Sequence, residues 1–257
     1  MPTIEHKGTK LVYEEQGSGT PAFVFIHGWT CDRSFFKGQA DHFARRHRAV
    51  SVDLRGHGES DKPKGPYPIA AYADDIAYLI DTLRLGKVVA VGHSMGGIIV
   101  LQLGAAHPDK VTAIVMVDPA PFVFPPELKG AVDKIVSAIE AGDQEPRRQF
   151  IASALFLPTS DKKLVDDVLR VMMAAPAHVA AEAMKGILAF DGPAVAKRCT
   201  VPALHLAATP PLNPPHLMSE WMPKVVNGWT VGAGHFNMME TADQVNSMIE
   251  GFLRHHV

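Results

Sequence analysis

Ser94 sits at the centre of Gly92-His93-Ser94-Met95-Gly96, directly after a short apolar run and directly before a segment of helical period. On a tight strand-to-helix turn its hydroxyl projects from the C-terminal edge of a sheet, beside helix amides that favour developing negative charge. Small flanking residues let the backbone close around it. A serine hydroxyl is a poor nucleophile at neutral pH and needs a base within reach. His235, in Gly232-Ala233-Gly234-His235-Phe236, follows the last apolar run and precedes the last helical segment, so it can meet a serine at the same edge. The chemistry that follows is acyl transfer.

An attacked carbonyl also needs donors for its oxygen. His27-Gly28-Trp29 ends another apolar run, and the turn its glycine allows aims the Trp29 amide at the strand edges. With the Met95 amide it makes a two-donor oxyanion hole. A carboxylate behind the histidine holds the useful tautomer and stabilises the imidazolium. Asp118 ends Ala113-Ile114-Val115-Met116-Val117, 24 residues beyond Ser94 and on the same edge. Its alternative role is to cap the turn that follows. Asn213 could instead orient the histidine without charge.

Other reactive residues point nowhere specific. Cys31 follows the oxyanion turn without a histidine at readable spacing and reads as a packing thiol. His42, His47 and His57 lack metal-ligand spacing, so no metal is expected. Asp74-Asp75 and Asp166-Asp167 are adjacent pairs on helices, where at least one of each must face water. No glycine loop carries the lysine that a phosphate-binding loop needs.

The elements that must position these groups are legible. Phe23–Ile26, Ala49–Val52, Val88–Val91, Ala113–Val117, Ala203–Leu206 and Trp229–Val231 read as strands, nearly unbroken as strands buried on both faces should be. Ile69, Tyr72, Ile76, Leu79, Ile80 and Leu83 recur at helical spacing, with Gly86 as a C-terminal cap. Met95–Ala106 is a second helix with Pro108 as its stop, and Thr241 with Gln244 predicts a capping box for a last one. From Pro119 to Arg198 the pattern turns helical throughout: Val132–Ala141, Arg147–Leu155, Lys162–Met173 and Val179–Phe190. A crossover needs one helix, not four, so an inserted helical lid is expected there.

The chain has 257 residues, 47% hydrophobic and 20% charged, which supports one core with an insertion and excludes a disordered chain. Its charges sum to 25 − 27 = −2, leaving no basic excess for nucleic acid or an anionic membrane. Two cysteines make no disulfide framework. The first residues lack a secretory layout, and no apolar run approaches the ~18 residues of a membrane span. A cytoplasmic protein is expected.

Phe25-Ile26-His27-Gly28, the run Asp53 to Ser60, Gly92-His93-Ser94-Met95-Gly96-Gly97 and Gly234-His235 together resemble the α/β-hydrolase superfamily, its capped, esterase-like branch most. The resemblance implies a mainly parallel eight-stranded sheet flanked by helices, a Ser–His–acid triad and no cofactor. It also implies that Asp53 to Ser60 is a structural loop near the site. Residues 1–118 and 199–257 would form the core and 119–198 the lid. Most relatives carry the acid in the loop after the penultimate strand. Here that loop, Ala207-Ala208-Thr209-Pro210-Pro211-Leu212-Asn213-Pro214, holds no carboxylate, which favours Asp118, since some members place the acid at the earlier strand end.

The expected function is hydrolysis of a small to medium hydrophobic carboxylic ester or lactone through an acyl-enzyme. Serine at the turn argues against the epoxide-hydrolase and haloalkane-dehalogenase branches, which use aspartate there. Carbon–carbon hydrolysis and perhydrolysis could use the same triad, and sensing of a small ligand is the non-enzymatic alternative. His27, Phe122, Phe124, Phe156, Met184 and Met238 are the expected pocket residues, and methionine makes such a pocket adaptable. Neither nucleic acid nor membrane is an expected partner, and the sequence leaves the oligomeric state open.

Overall fold

The computed structural model describes residues 1–257. Its strands are β1 (Thr3–His6), β2 (Thr9–Gln16), β3 (Ala22–Ile26), β4 (Ala49–Val52), β5 (Val88–His93), β6 (Val111–Val117), β7 (Ala203–Ala207) and β8 (Val226–Trp229). They form one sheet in the order β1-β2-β4-β3-β5-β6-β7-β8. β2 pairs antiparallel with β1 and β4, and every other pairing is parallel. The unbroken β-branched and aromatic runs are the central strands: β3, β4, β5 and β7 are buried at every position.

Parallel neighbours need crossovers, and helices supply them. α1 (Lys37–Phe43) follows a 3-10 turn after β3, α2 (Ile69–Thr82) precedes β5, and α3 (Met95–Ala106) joins β5 to β6. α2 buries Ile69, Tyr72, Ile76, Leu79 and Ile80 of the stripe its spacing predicts, with Leu83 partly buried just past its end. Between β6 and β7 lie α4 (Pro126–Glu140), α5 (Glu145–Ala154), α6 (Lys162–Ala174), α7 (Ala177–Leu188) and α8 (Gly192–Ala196). The side chains of Asp161 and Asp191 cap α6 and α8 by accepting from Leu164 and Ala194 amides. α4 packs on α5 and α7, whereas α8 packs on α3. The chain ends with α9 (Pro215–Trp221), α10 (Asn237–Glu240) and α11 (Ala242–His256). No helix is long and apolar enough to cross a membrane.

Two local expectations need correction. The last strand is Val226–Trp229, not Trp229–Val231; it is an edge strand, and Val231 beyond it is largely exposed. The Thr241–Gln244 capping box does not form. Gln244 instead pairs both ways with the main chain of Val231, and the Thr241 hydroxyl donates to the Asn237 carbonyl.

Candidate active site

β5 ends at His93 and α3 begins at Met95, so Ser94 alone makes the turn between them. Its backbone sits at φ 53°, ψ −116°, a conformation that L-residues rarely adopt. Two glycines make the turn possible. A Cβ at Gly92 would lie 2.0 Å from the Gly96 carbonyl oxygen, and one at Gly96 would lie 2.1 Å from that of Ile26. The Ser94 amide donates to Val117 on β6 at 3.1 Å, and its carbonyl accepts from Ala120 at 2.9 Å. Met95 is the first residue of α3, whose leading amides have no intrahelical acceptor.

Asp118 follows β6 at the same edge, buried, with φ at +36°. Its Oδ2 lies 2.6 Å from His235 Nδ1, and its Oδ1 accepts from the Ala208 amide at 3.2 Å. The carboxylate-free loop after β7 therefore contributes a backbone donor to Asp118. A carboxylate only accepts, so Nδ1 carries the ring proton and Nε2 keeps the lone pair in the neutral ring. The rest of the His235 loop is also tied down. The His235 amide donates to Leu155 at 3.1 Å, its carbonyl accepts from His93 Nε2 at 2.8 Å, and the Gly234 amide donates to Glu240 Oε2 at 2.8 Å. Glu240 also accepts from the Ser160 hydroxyl, linking this loop to the segment after α5. Burial and the neighbouring His235 hold the His93 pKa well below its ordinary value.

Asn213 is occupied elsewhere. Its Oδ1 accepts from the Phe122 amide at 2.8 Å, and its Nδ2 donates to the Pro119 and Ala120 carbonyls.

Ser94 and His235 both line a cavity of about 270 Å³ between the strand ends and the inserted helices. Fourteen of its nineteen lining residues are hydrophobic and none is Asp, Glu, Lys or Arg. Trp29 closes one side, while Phe124, Leu128, Val132, Phe150, Met172 and Met184 come from the insertion. Of the expected pocket residues, only Phe124 and Met184 line it. His27 is buried behind the wall: its Nε2 accepts from the Leu54 amide and its Nδ1–H donates to the Gly28 carbonyl. Phe122 stacks on Trp221 at 5.6 Å, and Phe156 stacks behind Phe236 at 5.1 Å. Met238 is buried on α10, its carbonyl accepting from Gln39.

Sequence reasoning missed several wall residues. Cys31, read as a packing thiol, lines the cavity, although burial pushes its pKa well up. Leu128 and Val132 sit four apart on α4, a spacing that could have marked them as sharing one face. Asp53 has the structural role expected of its loop, since Arg33 and the Glu59 amide hold its carboxylate.

The sheet order, the turn at Ser94 and the edge on which Asp118 and His235 meet define an α/β-hydrolase architecture. The chain belongs to the alpha/beta hydrolase fold family, whose family model matches residues 21–161, more than half of it. It is 38% identical over 134 residues to the 2-(acetamidomethylene)succinate hydrolase of Mesorhizobium japonicum, covering 52% of this chain and 46% of that protein. The chain thus spans less than half the length of this curated relative. The enol-lactonase of Burkholderia xenovorans shares the fold, with a TM-score of 0.89 at 24% identity over 98% of this chain and 100% of that one. An N-acyl homoserine lactone degrading enzyme superposes with a TM-score of 0.82 at 27% identity, covering 98% and 100% of the two chains.

Proposed function

We propose that this protein is a serine hydrolase of small, uncharged, apolar carboxylic esters or lactones, with Ser94 as nucleophile, His235 as base and Asp118 as the triad acid. The observation that carries this reading is the shared cavity: Ser94 and His235 open onto one apolar space, with Asp118 buried behind the imidazole.

In the first half of the reaction Ser94 Oγ bonds to the substrate carbonyl carbon while its proton passes to His235 Nε2. The carbonyl oxygen, now an oxyanion, takes hydrogen bonds from the Trp29 and Met95 amides. The tetrahedral adduct collapses, the carbon–oxygen bond to the alcohol breaks, and the imidazolium returns its proton to the leaving oxygen. Water then attacks the acyl-Ser94 ester with His235 again as base, releasing the acid and restoring the serine.

The helices from α4 to α7 act as a lid that sets substrate choice. A volume of about 270 Å³ lies at the small end of ligand sites. Burying an ionised carboxylate without a partner is strongly unfavourable. A succinate, which carries two carboxylates, would enter this cavity without a counter-charge, so uncharged acyl groups fit better. The N-acyl homoserine lactone degrading enzyme, at 27% identity, supports the lactone side of the proposal.

The test is turnover of nitrophenyl acetate, butyrate and hexanoate, simple lactones, and succinate monoesters, each with Ser94→Ala as background. Uncharged substrates turned over well above Ser94→Ala, with succinate monoesters near background, are expected. Uncharged substrates processed no faster than by Ser94→Ala would contradict the proposal.

A further inference from the structure

The loop that presents the Trp29 amide is strained. Thr30, a β-branched residue, has φ +57°, where such residues are outliers, and its buried hydroxyl finds no hydrogen-bond partner. A conformation of this kind persists only where its surroundings enforce it. The loop is closed by the Cys31 amide donating to the Gly28 carbonyl, and two contacts from the helices between β6 and β7 fall on the side chain of the preceding residue, Trp29. The indole Nε1–H donates to the Ala180 carbonyl of α7 at 2.8 Å. The Arg147 guanidinium of α5 lies over the indole face, 5.5 Å from its centroid.

Arg147 is itself unusual. It is 1% exposed, one of the largest fully buried side chains in the molecule. No carboxylate pairs with it, and burial draws its pKa down to about 10. Its terminal nitrogens donate to the Met172 and Ala175 carbonyls at the end of α6 and to Gln144 Oε1, the guanidinium lies over the indole face, and its buried Nε finds no partner. The carbonyl end of a helix carries partial negative charge, and an indole is the best aromatic face for a cation. A guanidinium is suited to bridge the two, because it combines a planar fork of donors with a stacking surface.

Resting on the serine-hydrolase reading above, we propose that Arg147 is a positioning residue for the oxyanion hole: by clamping the Trp29 indole it holds the Trp29 amide at the distance the transition state needs. Arg147 does not line the cavity and touches no reacting atom. Its effect falls on transition-state stabilisation and not on substrate binding, because the amide matters most once the oxyanion has formed. The insertion then builds part of the catalytic geometry as well as enclosing the substrate.

The test compares Arg147→Met, Arg147→Lys and Trp29→Phe with the parent, using steady-state kinetics on a short nitrophenyl ester. Affinity for an alkyl boronic acid, whose adduct with a serine places an oxygen in the oxyanion hole, is measured in parallel. Arg147→Met should lower kcat about 10-fold with KM nearly unchanged, a fraction of the roughly 10²–10³-fold that complete loss of one oxyanion donor costs. Boronate affinity should fall in parallel, and Arg147→Lys should recover part of both. Should Arg147→Met not fold, Trp29→Phe, which keeps an aromatic ring but loses the bond to Ala180, should lower kcat and boronate affinity together; because Trp29 also lines the cavity, its KM is not part of the readout. Variants with lowered melting temperatures but parental kcat and boronate affinity would confine Arg147 to capping α6 and overturn the inference. Failure of the parent to form a Ser94 phosphonate adduct would instead contradict the hydrolase reading itself.

Discussion

Asp118 Oδ2 and His235 Nδ1 lie 2.6 Å apart, across 117 positions of sequence, in a buried pairing that leaves His235 Nε2 as the nitrogen able to accept a proton. Three of the five non-glycine residues with positive φ belong to this site: Thr30, Ser94 and Asp118. Each such conformation costs of the order of 1–3 kcal/mol. The fold maintains these costs where the Trp29 loop, the Ser94 turn and Asp118 come together.

The pairing separates two substitutions. Asp118→Asn removes the charge behind the imidazole and offers the wrong hydrogen-bonding choice to Nδ1, so kcat should fall by at least about 10²-fold with folding intact. Asn213→Ala should leave kcat within a few-fold. It removes the bonds to Phe122, Pro119 and Ala120, so its effect should appear as lost stability of about 1–3 kcal/mol. Kinetics and denaturant melts on the two variants check this. A dead Asn213→Ala beside an active Asp118→Asn would reverse the assignment.

Acid should destabilise the fold through its buried imidazoles. Burial lowers the pKa values of His27, His57 and His93, that of His57 to about 3. Unfolding releases these rings to bind a proton below about pH 6.5, whereas the folded protein leaves them neutral. Their contribution is therefore intact above pH 6.5, declines as the pH falls through that value, and for His57 levels off only near pH 3. Each ring adds a slope of up to about 1.4 kcal/mol per pH unit in that window. Unfolding free energies of Ser94→Ala between pH 7.5 and 4.5 should show the decline, and adding His57→Gln should flatten it. An unchanged slope in the double variant would remove His57 from the explanation.

The insertion should set chain-length preference. Met184 lines the cavity, so Met184→Ala enlarges it and should raise the hexanoate-to-acetate ratio of kcat/KM by about 10-fold, the scale on which pockets discriminate methylenes. Phe122→Leu is the control, because Phe122 packs on Trp221 away from the cavity. A selectivity profile that moves with Phe122 and not with Met184 would place the binding surface elsewhere.

The legible parts of this protein were those with local causes. Phe23–Ile26 and Val88–Val91 declare central strands because burial on both faces demands unbroken apolar residues. Gly92 and Gly96 declare the Ser94 turn because no side chain fits there. β8 departs from the expected Trp229–Val231 because an edge strand is only partly buried and lacks that signal. The wall of the cavity was mostly illegible. Phe122, Phe124 and Phe156 look alike in sequence, and only packing decides that Phe124 faces the cavity while Phe122 meets Trp221 and Phe156 meets Phe236. Arg147 shows nothing in sequence, since apart from the nearby Gln144 its partners are two main-chain carbonyls and an indole that lies more than 100 positions away.

The central claim is that Ser94 forms a covalent adduct at its hydroxyl, and intact-mass analysis after treatment with a fluorophosphonate tests it most directly. The parent should gain the mass of a single phosphonyl group, mapped by digestion to the peptide carrying Ser94, while folded Ser94→Ala should gain none. An adduct of the same stoichiometry on Ser94→Ala, or a folded parent that stays unlabelled, would contradict the claim.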